Sequence, residues 1–157
     1  MEVQEYLLKL EKNLMLGAGR WLAEFNESFR AFPLNGQSFD LYVRGSTRTK
    51  GLLLSRLFAY FALPNYNVGF YIRHMPDDDF VLDDIIETVI NHALKQNVKW
   101  PWLVLVRNGP FTEELVGKVD AFDKHEPGIS LVNLEGRDVD TSSNLLGRKS
   151  LSLLRVF

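Results

Sequence analysis

The chain has 157 residues, of which 18 are Lys or Arg, 20 are Asp or Glu and none is Cys, and 46% are hydrophobic. This length and hydrophobic content predict one compact domain, residues 1–157, and exclude a disordered chain, a disulfide scaffold and a cysteine-ligated metal site. Because the formal net charge is only −2, the molecule as a whole does not attract nucleic acid. Binding of anions would therefore require a local patch of positive charge.

We expect a soluble, cytoplasmic protein with no membrane-spanning segment. The first residues, Met1 to Glu5, lack the basic start and the apolar stretch of a signal peptide. The longest apolar run, 52–63, is interrupted by Ser55 and Arg56 and is shorter than the roughly 20 residues that cross a bilayer.

Residues 3–32 are predicted to form one long helix, because their apolar residues recur at helical spacing. The series consists of Val3, Tyr6, Leu7, Leu10, Leu14, Trp21, Leu22, Phe25, Phe29 and Phe32, and its aromatic members are expected in the core. Gly17 and Gly19 are points at which this helix can bend or divide. Pro33 to Gly36 then supply a turn, and residues 38–45 alternate between apolar and polar side chains as a strand does.

Residues 52–63 fit two kinds of structure. Their leucine and phenylalanine spacing suits a helix, yet the run is short and apolar enough for a buried strand. Propensity alone favours the helix.

From Val68 onward the pattern predicts strands that alternate with helices. Strands are predicted at 68–74, 102–106 and 129–134, with a helix after the first that carries Asp83 and Asp84 in its first turn, and a short helix over 112–122. Two successive strand–helix–strand units predict an α/β fold whose sheet core, 38–134, is mainly parallel.

The C-terminal extension, 135–157, allows two structures. Ser142 or Ser143 could cap a short helix, whereas Leu151 to Leu153 alternate as a strand would. A strand here would extend a sheet edge or pair with a second subunit, and Phe157 is expected to be docked on a surface of this chain or of that subunit.

The segment Leu103 to Glu114, LVLVRNGPFTEE, followed by Gly128 to Asn133, GISLVN, resembles the end of the Mrr-type branch of the PD-(D/E)XK nuclease superfamily. The resemblance implies a restriction-endonuclease-like core, a single three-layer α/β domain in which helices flank a mixed sheet. Its order of one helix, a three-stranded meander, a helix, a strand, a short helix and a strand can be laid over Glu5 to Leu134. In that overlay 52–63 becomes the second strand of the meander, and a homodimer is expected because dimers are common among such relatives.

The same resemblance allows a test for catalysis. Family members hold Mg²⁺ and activate water with an acid on the second strand and a Glu/Gln-x-Lys on the third. Here the second strand would offer LLSR at 53–56 and the third YIR at 71–73, and no Asp or Glu occurs from Leu41 to Pro76. We therefore expect no catalysis, no metal and no cofactor. Mg²⁺ would enter only if the acids had moved, for which Glu24 on the first helix and Asp40 on the first strand are weak candidates.

The stretch without acids carries positive charge instead. Its candidate nucleic-acid-binding residues are Arg44, Arg48, Lys50, Arg56 and Arg73, with Tyr71 as a candidate for stacking on a base. The alternative is a solvated basic loop that faces the acidic surface of residues 77–87. We expect a noncatalytic nuclease-like module that binds DNA, RNA or a protein partner. The alternatives are an active metal-dependent nuclease with migrated acidic ligands, and a structural subunit of an assembly with no nucleic-acid role.

Overall fold

The computed structural model describes residues 1–47 and 66–157, and within these ranges six strands form one mixed sheet that four helices flank. The helices are α1 (Val3–Leu16), α2 (Leu82–Lys95), α3 (Glu113–Asp120) and α4 (Leu145–Leu154). The strands are β1 (Glu24–Leu34), β2 (Gln37–Ser46), β3 (Asn67–His74), β4 (Val98–Arg107), β5 (Gly128–Asn133) and β6 (Asp138–Thr141). The prediction of a three-layer α/β fold is confirmed. None of the described helices has both the length and the apolar character needed to cross a membrane.

The order in the sheet follows the chain, from β1 at one edge to β6 at the other. The first three strands are antiparallel neighbours, β3, β4 and β5 are parallel, and β6 returns antiparallel to β5. Parallel neighbours need crossover connections, which α2 and α3 supply. Because side chains alternate along a strand, Phe70 and Trp102 point toward α1 and α4, while Tyr71 and Leu103 point toward α2 and α3.

The prediction of a helix over 3–32 is wrong beyond Leu16. After α1 and a short 3₁₀ turn at Ala18–Trp21, the chain enters β1, which forms a hairpin with β2. Asn35 and Gly36 have φ values of 49° and 77°, the left-handed conformations that a tight hairpin turn requires. This turn signal outweighs the helical spacing of the aromatic residues. Of these, Phe25 is buried, whereas Trp21 is 94% exposed and so does not belong to the core.

The overlay of the meander is also wrong in its second strand. β2 is hydrogen-bonded directly to β3, from Ser46 opposite Asn67 to Leu41 opposite Ile72. The middle strand of the meander is therefore Gln37–Ser46, and no place for 52–63 exists between β2 and β3. Whether 52–63 is helix or strand lies outside the described residues, and so do the predicted sites at positions 48, 50 and 56.

The C-terminal extension contains a strand at 138–141 and a helix at 145–154, so the alternative of a strand at Leu151 to Leu153 is wrong. β6 forms the sheet edge, and α4 follows with Asn144 as its N-cap, rather than either serine proposed from the sequence. The Tyr6 hydroxyl donates to the Leu154 carbonyl at 2.9 Å, and the Tyr6 and Phe157 rings stack with centroids 6.0 Å apart. The expectation that Phe157 is docked is thus confirmed, and the surface it contacts is α1 of the same chain.

Candidate nucleic-acid interface

The described members of the predicted basic patch do not meet. Arg44 on β2 donates from Nε to a Glu27 carboxylate oxygen at 2.6 Å, so its charge is compensated. Arg73, near the end of β3, donates to Gln37 Oε1 at 2.6 Å. Since Arg44 lies opposite Gly69, the two arginines are separated by four strand positions, about 13 Å along the sheet. They do not form one site.

Tyr71 belongs to the core and cannot stack on a base. Its side chain is fully buried beneath α2, its hydroxyl lies 2.8 Å from His92 Nδ1, and its ring stacks on that of Tyr42 at a centroid distance of 4.6 Å. Burial raises the pKa of Tyr71, so the hydroxyl stays protonated. The proposed role of Tyr71 in binding nucleic acid is therefore wrong, and its residue type is explained by the contact with α2.

The contact between Tyr71 and His92 predicts that the stability of the fold depends on pH. Burial, followed by the nearby charges of Arg44 and Lys95, holds the pKa of His92 below its usual value near 6.5. The unfolded chain therefore binds a proton more readily than the folded one, so the stability from neutral His92 is present above pH 6.5 and is lost as the pH falls through the folded-state pKa. We expect urea unfolding midpoints to fall more between about pH 7.5 and 5 in the wild type than in His92→Gln. The exposed loop residue His125 provides the control, and an equal effect of His125→Gln would contradict this assignment.

The two weak catalytic candidates lie at opposite ends of the β1–β2 hairpin. Glu24 is on β1, not on the first helix, and stands opposite Ser46. Asp40 is on the middle strand of the meander, six positions from Ser46, which corresponds to about 20 Å. Its Oδ2 accepts the backbone N–H of His74 at 2.6 Å. The two carboxylates cannot share one metal ion, and the described ranges contain no cluster of three or more potential His or carboxylate ligands.

A different positive surface lies on the outer side of α4. Arg148 and Lys149 are adjacent and exposed on α4, and Arg155, also exposed, follows directly after the helix ends. From residue 141 to the end the sequence contains no Asp or Glu. Arg148 Nε donates to the Ser143 carbonyl at 2.8 Å, but no ion pair joins these three cations to a carboxylate in the described part of the chain. These cations are available for anionic ligands.

Two aromatic rings adjoin these cations. Lys149 Nζ lies 5.1 Å from the ring centroid of Trp100 on β4, and Tyr66, just before β3, lies 5.8 Å from the same ring. Both rings are half-buried. We call the set Tyr66, Trp100, Arg148, Lys149 and Arg155 the α4 surface.

Hydrogen bonds fix the elements that carry the α4 surface. Trp102 Nε1 donates to the Leu146 carbonyl at 2.7 Å, which holds α4 against β4. The Thr47 amide donates to the Tyr66 carbonyl at 2.7 Å, and the Tyr66 amide donates to Thr47 Oγ1 at 2.9 Å. Tyr66 is thereby locked beside the end of β2, directly before the sequence continues with the predicted cations Arg48 and Lys50.

The α4 surface combines the two functions that a nucleic-acid site needs, because cations contact phosphates and flat rings stack on bases. Sequence reasoning missed it, although the signal was present: a tail with three cations, no acids and adjacent Arg148 and Lys149. No protein-family model matches this chain, and comparisons with curated proteins and with solved structures also find no match.

Proposed function

We propose that this protein is a noncatalytic, nuclease-like module that binds nucleic acid through the α4 surface. The observation that carries the proposal is a group of three exposed cations with no acidic partner in the described part of the chain, of which Lys149 lies over the Trp100 ring, with the Tyr66 ring beside it. Phosphate contacts supply most of the affinity in such interfaces, and stacking on aromatic rings adds binding that depends little on base identity.

The order of the elements supports the nuclease-like part of the proposal. A helix, an antiparallel meander, a helix, a strand, a short helix and a further strand succeed one another from α1 to β5. This is the order that the resemblance to the Mrr-type branch implies. The meander differs from the overlay only in which segments supply its strands.

The third strand of the meander supports the noncatalytic part. Tyr71 and Arg73 occupy the positions at which the resemblance implies an acid and a lysine. Tyr71 is buried against His92, and Arg73 is bound to Gln37, so both side chains serve the packing of β3 and α2. A residue with these contacts does not bind a hard cation, which takes carboxylate or carbonyl oxygens.

Fluorescence anisotropy with a labelled 20-nucleotide single strand and its duplex tests this proposal. We expect binding that weakens as salt rises, because phosphate contacts release counterions. Arg148→Ala with Lys149→Ala should reduce affinity about tenfold and lower the salt slope by roughly 1 to 2. Lys9→Ala with Lys12→Ala makes the same change in net charge on α1 and should have little effect. Equal binding by the two double variants would refute the role of the α4 surface in binding. A third double variant, Arg48→Ala with Lys50→Ala, tests the basic segment predicted from the sequence.

An active nuclease is the second candidate, and the position of Asp40 favours it. This acid stands on the middle strand of the meander beside the end of β3, where the resemblance implies a metal ligand. The same oligonucleotides incubated with Mg²⁺ or Mn²⁺ distinguish the two functions. Intact substrate is expected, whereas cutting that Asp40→Asn abolishes would establish the nuclease. An absence of both binding and cutting would favour a structural subunit.

A further inference from the structure

The last strand of the sheet, β6, has an open edge next to a groove. The groove has a volume of about 550 Å³ and runs between β6 and α3. Phe111 and Val116 supply its apolar lining, and Glu113, Asp120 and Asp140 stand around them. Val139 borders the groove from β6, but its side chain packs on the opposite face of the sheet. Because β6 pairs only with β5, one side of its backbone has no strand beside it in the described sheet.

The register shows which backbone groups face that open side. The Ser142 amide donates to the Ile129 carbonyl at 2.8 Å, so this pair is hydrogen-bonded. In an antiparallel ladder hydrogen-bonded and non-bonded pairs alternate, which directs the backbone of Asp138 and Asp140 toward β5. The N–H and C=O groups of Val139 and Thr141 therefore point outward, as an added strand would require.

The charge around the groove restricts what can occupy it. No Lys or Arg is among the described residues that line it. Burial, followed by the neighbouring charges of Asp138 and Asp120, raises the pKa of Asp140, so these carboxylates repel one another without a compensating cation. The nearby Lys118 is engaged with Glu114 at 2.8 Å. A basic ligand would relieve this repulsion, and nucleic acid would increase it.

We propose that the β6 edge binds an extended segment of a partner protein in which basic residues alternate with apolar ones. The backbone of the segment would pair with Val139 and Thr141, as in other cases of strand addition. On the α3 face its cations would meet Asp120 and Asp140, with their aliphatic stems over Phe111 and Val116. On the opposite face its apolar side chains would pack beside Val139. A second copy of this chain fits poorly, because pairing of two β6 edges would bring the carboxylates of Asp138 and Asp140 together.

Isothermal titration calorimetry with a blocked eight-residue peptide of alternating Lys and Val tests the proposal, with the alternating Glu and Val peptide as control. We expect the wild type to bind only the basic peptide. Val139→Pro removes one outward N–H, which an edge strand tolerates, and should weaken binding at least about tenfold. Val139→Thr keeps that N–H and changes only the side chain, so it should weaken binding no more than about threefold. Asp120→Asn with Asp140→Asn should weaken binding about fivefold at low salt without altering the backbone.

Two results would overturn the proposal. One is equal binding of both peptides, and the other is equal affinity of Val139→Pro and Val139→Thr for the basic peptide. Circular dichroism verifies that Val139→Pro is folded, and the two aspartate variants give an independent answer if it is not. Light scattering of the free protein reports whether the predicted homodimer forms, and a dimer that Val139→Pro dissociates would assign the β6 edge to a second copy instead.

Discussion

Replacement of Asn144 with alanine is expected to lower the free energy of unfolding by about 3–5 kcal/mol, because the side chain joins three parts of the chain. Asn144 is buried, and its Oδ1 accepts from the Gly147 amide at 2.8 Å and from Ser142 Oγ at 2.9 Å. Its Nδ2 donates to the carbonyls of Lys124 and Pro127, both at 2.8 Å. Alanine would remove the cap of α4 and leave two carbonyls without this donor. Urea unfolding at constant pH measures the loss.

Two further variants separate the contributions of Asn144. Asn144→Ser keeps a capping oxygen but cannot reach the two carbonyls, so its cost should be about 1 kcal/mol smaller than that of alanine. Ser143→Ala removes a single hydrogen bond, 3.2 Å long, from Ser143 Oγ to the Phe122 carbonyl, and should cost no more than about 1.5 kcal/mol. If Asn144→Ala cost no more than Ser143→Ala, the proposed role of Asn144 would be wrong.

The second half of the fold could be predicted because its signals are local. The strand at 102–106 is apolar without interruption, as buried parallel strands are, and the strand at 68–74 is rich in β-branched and aromatic residues. The helix α2 carries Asp83 and Asp84 in its first turn. Each of these features is complete within about ten residues. The structure accordingly confirms the strands and helices predicted from Val68 to Leu134.

The first half failed because two local signals disagree. Trp21, Phe25, Phe29 and Phe32 recur at the spacing of a helix, yet Asn35 and Gly36 favour a tight hairpin turn. The pairing of β1 with β2 decides in favour of the strand. The spacing of apolar residues within one segment does not show that a partner strand exists. A helix in place of β1 makes 38–45 the first strand of the meander instead of the second and leaves the second place to 52–63, whereas the third strand, at 68–74, is predicted correctly.

The candidate site was harder to predict than the fold, because it is made of contacts between distant residues. Glu27, the partner of Arg44, is 17 residues away in the sequence, and Tyr71 is buried by a helix that follows it. The α4 surface draws Tyr66, Trp100 and Lys149 from three separate elements. A search for clustered cations identifies Arg48 and Lys50, whereas only the fold brings Lys149 to an aromatic ring.

Replacement of Gly128 with alanine is the other large effect that we expect, a loss of about 2–4 kcal/mol in the free energy of unfolding. Gly128 begins β5 where the backbone of α4 packs directly on it. A Cβ atom there would lie 2.6 Å from Trp102 Cδ1 and 2.8 Å from both the Gly147 nitrogen and the Leu146 carbonyl carbon. Because two of these neighbours are backbone atoms, α4 would have to move away from β5. This movement would also strain the hydrogen bond from Trp102 Nε1 to the Leu146 carbonyl.

Gly117 supplies the matched control for this substitution. It lies inside α3, and a Cβ atom there would meet nothing within 4 Å. Gly117→Ala should therefore raise stability by about 0.5–1 kcal/mol, because alanine has the higher helix propensity. Thermal or urea unfolding should show a loss of stability in Gly128→Ala and a gain in Gly117→Ala if α4 packs directly on Gly128 of β5.

Because α4 carries Arg148 and Lys149, displacement of this helix in Gly128→Ala should also weaken oligonucleotide binding. Gly117→Ala does not displace α4 and should leave oligonucleotide binding unchanged. A Gly128→Ala protein as stable as the wild type would show that α4 does not pack against β5 in this way.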